Sequence, residues 1–283
     1  QSQLTALASL SNDEPVTADD FAEPVRSRFV SDGGRWLLRV YPKEQIWDAE
    51  PLAQFVADVR SVDPDVTGTP LQNHEAAISI RESYLQAAMY AAIVVTLVLL
   101  ADILSPRTVA LTFTLPVLVV VFAIYMSGEQ NHVGWNTLLI VYTLLAVGVA
   151  AVLEPRGVMG TLVSLMPPVL GTAAMFGILA LIGQDLNPAN MLVLPLILGM
   201  EVANGVHAYH DYRHQRGSYR MSSSVINSMM LNSLTTMIGF GSMMVADHRG
   251  LASLGLVLTI GVGTCLVVSL GPLPALLTLV SRR

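Results

Sequence analysis

The sequence predicts an α-helical polytopic membrane protein of about seven transmembrane helices, preceded at its N-terminus by a partial α/β subdomain on the outer face. Three observations carry this. Only 13% of the residues are charged and 53% are hydrophobic, with a mean hydropathy of +0.57, whereas a soluble domain carries about 25% charged residues. From Ser83 onward, apolar segments recur close to the roughly 20 residues that cross a bilayer core. The charge is also unevenly divided: residues 1–81 hold thirteen acidic and seven basic side chains, residues 82–283 eight of each, so the whole net charge of −6 sits on the polar N-terminal part. An acidic head argues against a nucleic-acid partner.

Taken in chain order, residues 1–27 combine Ser, Asp, Glu and Pro clusters without periodicity and read as a linker or disordered segment. The chain opens at Gln1 without a basic-then-apolar leader and reads as a piece of a longer polypeptide. Residues 28–82 form the partial α/β subdomain. Within it, Arg28 to Val30 and Arg35 to Tyr41 are β-prone runs flanking Asp32-Gly33-Gly34, a turn chemistry that favours a hairpin. Ile46, Leu52, Phe55, Val56 and Val59 then recur at helical spacing over 46–61, closed by Asp63-Pro64. Residues 71–82 read as a helix running into the first span.

The transmembrane domain, 83–283, divides into spans at about 83–101, 108–126, 136–153, 157–183, 190–210, 222–246 and 251–280; the last is long enough to tilt or to include an interfacial turn. Orientation follows from the arginines. Alternate connections hold Arg107, Arg156, the group Arg213, Arg216 and Arg220, and finally Arg282 and Arg283, against Arg249 alone on the other side. By the positive-inside rule the C-terminus is cytoplasmic and the acidic domain is outside, the periplasm of a Gram-negative cell. An echo links Leu104-Ser-Pro-Arg-Thr-Val with Leu153-Glu-Pro-Arg-Gly-Val, each followed by an outer loop with Asn, at Asn131 and Asn187. Two readings stay open: a duplicated or inserted helix pair, or the ordinary look of a cytoplasmic turn before a span. Pro167-Pro168 and Pro195, with Gly160, Gly171 and Gly199 nearby, are expected to kink their spans.

The most informative stretch is 187–213, a membrane-length apolar helix with Glu201, Asn204 and His207 in its second half. Hydrocarbon tolerates such groups only where they face protein or water, and a carboxylate at mid-span costs roughly 2.5 to 3.5 kcal/mol on the insertion scale. The stretch is therefore a candidate ion or proton site. His207 and His210 fall near the cytoplasmic end before Asp211 and Arg213, which fits an interfacial role better than a metal site; a metal would need a further ligand. No metal or cofactor is expected. Cys265, the single cysteine, excludes an intrachain disulfide. The chain carries no phosphate-gripping glycine loop with Lys, no paired-histidine zinc motif and no Gly-x-Ser-x-Gly elbow, so it reads as a non-enzyme.

Four runs in order, Asn187-Pro-Ala-Asn-Met-Leu-Val-Leu-Pro-Leu-Ile-Leu-Gly, Asn204-Gly-Val-His, Ser233-Leu-Thr-Thr-Met-Ile-Gly-Phe-Gly-Ser and His248-Arg-Gly-Leu-Ala-Ser-Leu-Gly, resemble the C-terminal half of the resistance-nodulation-division (RND) superfamily. Within it the chain is most similar to the hopanoid-biosynthesis-associated transporters, related to the mycobacterial large membrane proteins. The resemblance covers most of 28–103 and 154–280 and leaves 108–153 without a counterpart, so the chain looks like the usual five spans plus an extra pair. It implies a periplasmic porter subdomain over 28–82 and proton-motive-force-driven export of hydrophobic, hopanoid-like lipids across or from the inner membrane. The partners it implies are a membrane lipid, protons and the N-terminal half of the same transporter, with a homo-oligomer as a further option.

The family reads Gly, a small aliphatic, Gly, Val, Asp, a polar or aromatic residue, and Gly. Here 199–205 are Gly-Met-Glu-Val-Ala-Asn-Gly, so Ala203 stands where the proton-carrying Asp is expected and Glu201 where a glycine is. Positions two apart on a helix differ by about 200°, so Glu201 points nearly opposite to the missing Asp. Three readings compete: a relocated proton carrier assisted by Asn204, a group lining a water-filled cavity, or a degenerate relative in which coupling is lost. Asn232, Thr235 and Thr236 on the next span are the candidate polar partners by resemblance, against the simpler reading of hydroxyls bonded back to their own helix. The alternative to a transporter is a non-transporting or uncoupled membrane protein that binds lipid or scaffolds an assembly.

Overall fold

A computed structural model describes residues 22–31, 33–46, 48–127, 134–215 and 217–281. The expectations attached to Asp32, Asn131, Arg216, Arg282, Arg283 and residues 1–21 lie outside them. The chain divides into two compact units, one ending at Glu75 and one beginning at Ala76.

In the first unit, a short helix α1, Glu23–Arg26, falls within the stretch expected to be a linker; Pro24 in its first turn needs no donor there. The hairpin is present only in outline. Val30 and Trp36 form a single antiparallel bridge, Leu37 N–H donates to Phe29 O at 2.7 Å, and Gly34 takes φ +72°, open to a residue without Cβ. No strand forms among the described residues, which corrects the expected strands at Arg28–Val30 and Arg35–Tyr41. Two strands without a third bury too little to hold a ladder, and Leu38 and Tyr41 remain 87% and 75% exposed. Helix α2, Ala49–Val62, starts three residues later than the apolar spacing suggests. Asp48 is extended ahead of it, Pro51 occupies its first turn, and Asp63 becomes extended before Pro64, so Ile46 lies outside the helix. Val56 and Leu71 are the buried apolar side chains of this unit, and Arg60 pairs with Glu75.

Helix α3, Thr69–Ile103, is continuous, merging the expected 71–82 helix with the first span. Its 35 residues extend about 52 Å, well beyond a 30 Å hydrocarbon core. Then follow α4 (Pro106–Ser127) and α5 (Trp135–Leu153). The fourth apolar stretch is two helices, α6 (Pro155–Ser164) and α7 (Met166–Leu181), interrupted at Leu165. Pro167 and Pro168 lack the N–H groups that would bond the Val163 and Ser164 carbonyls, which places the break. Next come α8 (Val193–His214), α9 (Ser223–Gly241) with a 3₁₀ turn at Ser242–Val245, α10 (Arg249–Leu270) and α11 (Pro272–Ser281). The last apolar stretch is likewise interrupted, at Gly271-Pro272.

Among the described residues, five stretches are long and apolar enough to cross a membrane: Thr69–Ile103, Pro106–Met126, Trp135–Leu153, Pro155–Leu181 and Arg249–Ser281. The protein is therefore a helical, multi-pass membrane protein. Helices α8 and α9 form where two further spans are expected but are too polar to meet that standard, α8 through Glu201, Asn204, His207 and His210 and α9 through its Ser, Asn and Thr residues. Pro195 corrects a second expectation: it sits in the first turn of α8, where it initiates the helix rather than kinking it.

Helix α10 is the axis of the packing, with Val257, Leu258 and Cys265 against Met175 and Leu179 of α7 and Val193 and Ile197 of α8. A second cluster joins Ile103, Val163, Ala208, Tyr209, Met229 and Leu273 near the other end of α8. Helices α4 and α5 form a hairpin, α5 meeting α3 through Ala150 against Leu100 and Leu104 and through a Tyr90–Asn136 hydrogen bond. Glycines let these helices close up. A Cβ on Gly171 would lie 2.7 Å from the Cα of Cys265, and one on Gly205 only 1.9 Å from the Ser164 carbonyl oxygen.

Candidate proton and ion site

Glu201 and Asn204 sit one turn apart on α8, both 1% exposed. The Asn204 amide donates from Nδ2 to Glu201 Oε2 at 2.8 Å and to Ser233 Oγ of α9 at 3.4 Å. Ser233 is fully buried. Ser164, at the end of α6, packs its carbonyl onto Gly205, the residue after Asn204; its hydroxyl is buried and has no hydrogen-bond partner. On the α10 side, Cys265 packs in one cluster with Ile197, one turn before Glu201 on α8. Four helices thus enclose one carboxylate, and among the described residues Glu201 is the only buried Asp, Glu, His, Lys or Arg side chain.

The other sequence candidates are placed elsewhere. Ala203 is half-buried, on another side of α8. Asn232 is exposed. Thr235 donates to the Leu231 carbonyl at 2.6 Å and Thr236 to the Asn232 carbonyl at 2.9 Å, both on their own helix. The residue of α9 that reaches the site is Ser233, which the sequence reading passed over. Its signal was modest: Ser233 lies four residues after Met229, the other buried side chain of α9, and so on the same helix face.

The Arg213-bearing end of α8 carries a separate polar network. His210 Nε2 lies 2.8 Å from Asp102 Oδ2, and Arg213 donates to the Ile103 carbonyl at 3.0 Å, so α8 is tied to the end of α3. His207 is exposed, and among the described residues no three His, Cys, Asp or Glu side chains group to hold a metal. Glu154 accepts from the Ser105 N–H at 3.0 Å, an interaction that holds its carboxyl below the usual carboxylate range despite partial burial. Asp211 accepts from Ser222 N–H (2.9 Å), Gln215 (3.1 Å) and Tyr219 (3.2 Å), fastening the start of α9 to the end of α8. Burial pushes the Asp211 carboxyl up, but the hydrogen bonds from Ser222, Tyr219 and Gln215 together outweigh it and hold it low.

A carboxylate depressed in the folded state stabilises fully above its unfolded pKa, and that contribution is lost as pH falls through the lower folded value. Thermal unfolding in detergent is therefore expected to shift to lower temperature on acidification below about pH 4. Asp211→Asn is expected to be less stable at neutral pH, by about 1 kcal/mol for a half-exposed group, and to lose less on acidification. Equal acid sensitivity in the two proteins would assign the effect to other carboxylates.

The motif around Asn187 is a structural lock. Asn187 Oδ1 accepts from the N–H groups of Ala189 and Asn190, both at 3.0 Å, while Asn190 Oδ1 accepts from Asn187 N–H at 2.8 Å. Both amides then donate to Ser253 Oγ of α10, at 3.2 and 2.8 Å. His248 in turn caps α10 by accepting from Leu251 N–H. Two of the four runs that carry the RND resemblance therefore position the α7–α8 connection on α10.

No family model matches the chain. It is similar to the hopanoid transporter HpnN of Rhodopseudomonas palustris, 25% identical over 264 residues that make up 93% of this chain and 24% of that protein. It is also similar to the hopanoid transporter HpnN of Burkholderia multivorans, 23% identical over 269 residues, 94% of this chain and 24% of the relative. A membrane protein of Methanocaldococcus jannaschii matches half of the chain at 26% identity. The chain spans about a quarter of the length of the two hopanoid transporters it matches. The resemblance carried by the Asn187, Asn204, Ser233 and His248 runs thus extends, as similarity to the hopanoid transporters, along nearly the whole chain.

Proposed function

We propose that this chain belongs to the C-terminal half of a proton-coupled exporter of hydrophobic, hopanoid-like lipids in the bacterial inner membrane, with Glu201 as a relocated proton carrier. The observation that carries the reading is the enclosure of a single carboxylate by four helices, hydrogen-bonded to an amide that also reaches a neighbouring helix. Protonation there changes a buried charge, and such a change biases one helix packing against another. Residues 1–27 are then a linker, 28–82 part of the periplasmic porter subdomain, completed as an α/β layer by the rest of the transporter, and 83–283 the transmembrane domain. In this arrangement α8 and α9 complete seven spans, their polar faces sheltered by the N-terminal half, with 108–153 as an added pair and the C-terminus cytoplasmic. No catalytic role is assigned.

Ala203 at the expected Asp position favours a second reading, an uncoupled relative that binds lipid or scaffolds an assembly without moving it. The two part on one experiment. The full-length parent is reconstituted in liposomes loaded with a labelled hopanoid, and transfer to acceptor vesicles is followed with and without an imposed pH gradient. The transporter reading expects transfer that a protonophore abolishes. Transfer equal to that of protein-free liposomes supports the uncoupled relative.

A further inference from the structure

We infer that the enclosure around Glu201 also binds a sodium ion, in competition with the proton. The inference rests on Glu201 being the coupling carboxylate and names a second ion for the same site.

The argument begins with charge. One ionised carboxylate out of water is costly unless a cation or proton neutralises it. None of the helices packed against α8 brings a cation to it. Helices α7, α9 and α11 hold no titratable side chain, and Arg156 of α6 lies at the level of Tyr209, two turns from Glu201. Helix α10 contributes only Cys265 at this level, its Arg249 lying sixteen residues away. A single negative charge is balanced by a monovalent ion, whereas a divalent one would leave an excess positive charge. The absence of a three-member His, Cys, Asp or Glu group among the described residues points the same way.

The ligands are oxygens suited to a hard, small cation. Glu201 supplies its carboxylate, and Ser233 a hydroxyl 3.4 Å from Asn204 Nδ2. Asn204 supplies an amide oxygen once its amide turns over, the orientation of such a group being set by its partners. Ser164 adds the independent observation. Its hydroxyl is fully buried with no hydrogen-bond partner, while its backbone packs on Gly205, four residues from Glu201 along α8, and a buried hydroxyl of this kind is costly unless a ligand satisfies it. It lies where α6 breaks from α7, and interrupted membrane helices supply polar groups to ions in this way. With the proton on Glu201 the amide stays turned to donate; with sodium bound it turns to ligate. One site then exchanges one ion for the other.

The test is binding of radioactive sodium to the full-length protein in detergent, with choline replacing sodium at constant ionic strength. At about pH 8 the native protein is expected to hold sodium that unlabelled sodium displaces and potassium does not. Affinity should fall as the pH is lowered, approaching about tenfold per pH unit once the pH is below the carboxyl's own pKa, as the proton competes. Glu201→Gln should abolish the binding, while Ser233→Ala and Ser164→Ala, small changes that keep the fold, should each weaken it severalfold. Absence of displaceable sodium on the native protein, or binding indifferent to pH and to all three substitutions, overturns the inference. Proton flux in liposomes separates the two ideas. Glu201-dependent flux without sodium binding removes sodium alone, and absence of both removes the proton carrier as well.

Discussion

Gly205→Val is expected to abolish the folded transmembrane unit, while Gly199→Ala, six residues earlier on the same helix, is expected to leave it intact. A Cβ at 205 would meet the Ser164 carbonyl oxygen at 1.9 Å, its carbon at 2.7 Å and its Cα at 2.8 Å. All three are backbone atoms at the end of α6, and no rotamer change relieves them. Nor is the carbonyl free to withdraw into a helix, because the residue four places on is Pro168 and offers no N–H. Relief requires α6 to move off α8, which pulls Val163 out of the cluster it shares with Ala208 and Tyr209. Overpacking of this kind costs about 1–3 kcal/mol per site where the surroundings yield, and a clash with backbone exceeds that range.

Gly160 and Gly157 set the scale. A Cβ at 160 meets the Tyr209 ring and one at 157 the mobile end of Leu104, so the loss of stability should fall in the order 205, 160, 157. Nothing lies within 4 Å of a Cβ at 199, and alanine there gains about 0.5–1 kcal/mol of helix propensity. Size-exclusion profiles and unfolding temperatures of detergent-solubilised variants read the series. Indistinguishable profiles for Gly205→Val and Gly199→Ala would mean that α6 and α8 do not pack as described.

These contacts mark the limit of what the sequence discloses. The helices of the membrane unit are legible because a span needs length and apolarity, both local properties, and the interruptions at Leu165 and Gly271 fall where prolines remove donors. The strand pair was less legible. Arg35 to Tyr41 has strand composition, but a ladder needs neighbours, and composition does not say whether they are present. At the site, Glu201 and Asn204 could be read together because three residues on a helix put them on one side. Ser233 could not, since which face of α9 meets α8 is decided by packing, and α9 carries polar residues all round. The Asn187-Pro-Ala-Asn run shows the reverse: a motif that carries the resemblance by sequence here does mechanical work, each side chain accepting from the other residue's backbone N–H and both donating to Ser253.

The sharpest expectation concerns which of two positions carries the proton. In liposomes with an imposed pH gradient, Glu201→Gln in the full-length protein is expected to lower proton flux at least tenfold, a loss of about 1.4 kcal/mol or more in driving the cycle. Gln preserves the size and the hydrogen bond with Asn204, so the packing survives while the titrating group is gone. Adding a carboxylate at the family's position, Ala203→Asp, is expected not to rescue that loss. The two positions diverge by about 200° around α8, and Asn204, which holds Glu201 Oε2 at 2.8 Å and reaches Ser233, would hold nothing at 203. The converse pattern is equally informative. A native protein without flux that gains it through Ala203→Asp would place the working position where the family has it and make this chain an uncoupled relative. Glu201 would then be a buried polar group whose cost is met by Asn204 and by packing, and the same four-helix enclosure would serve lipid binding rather than transport.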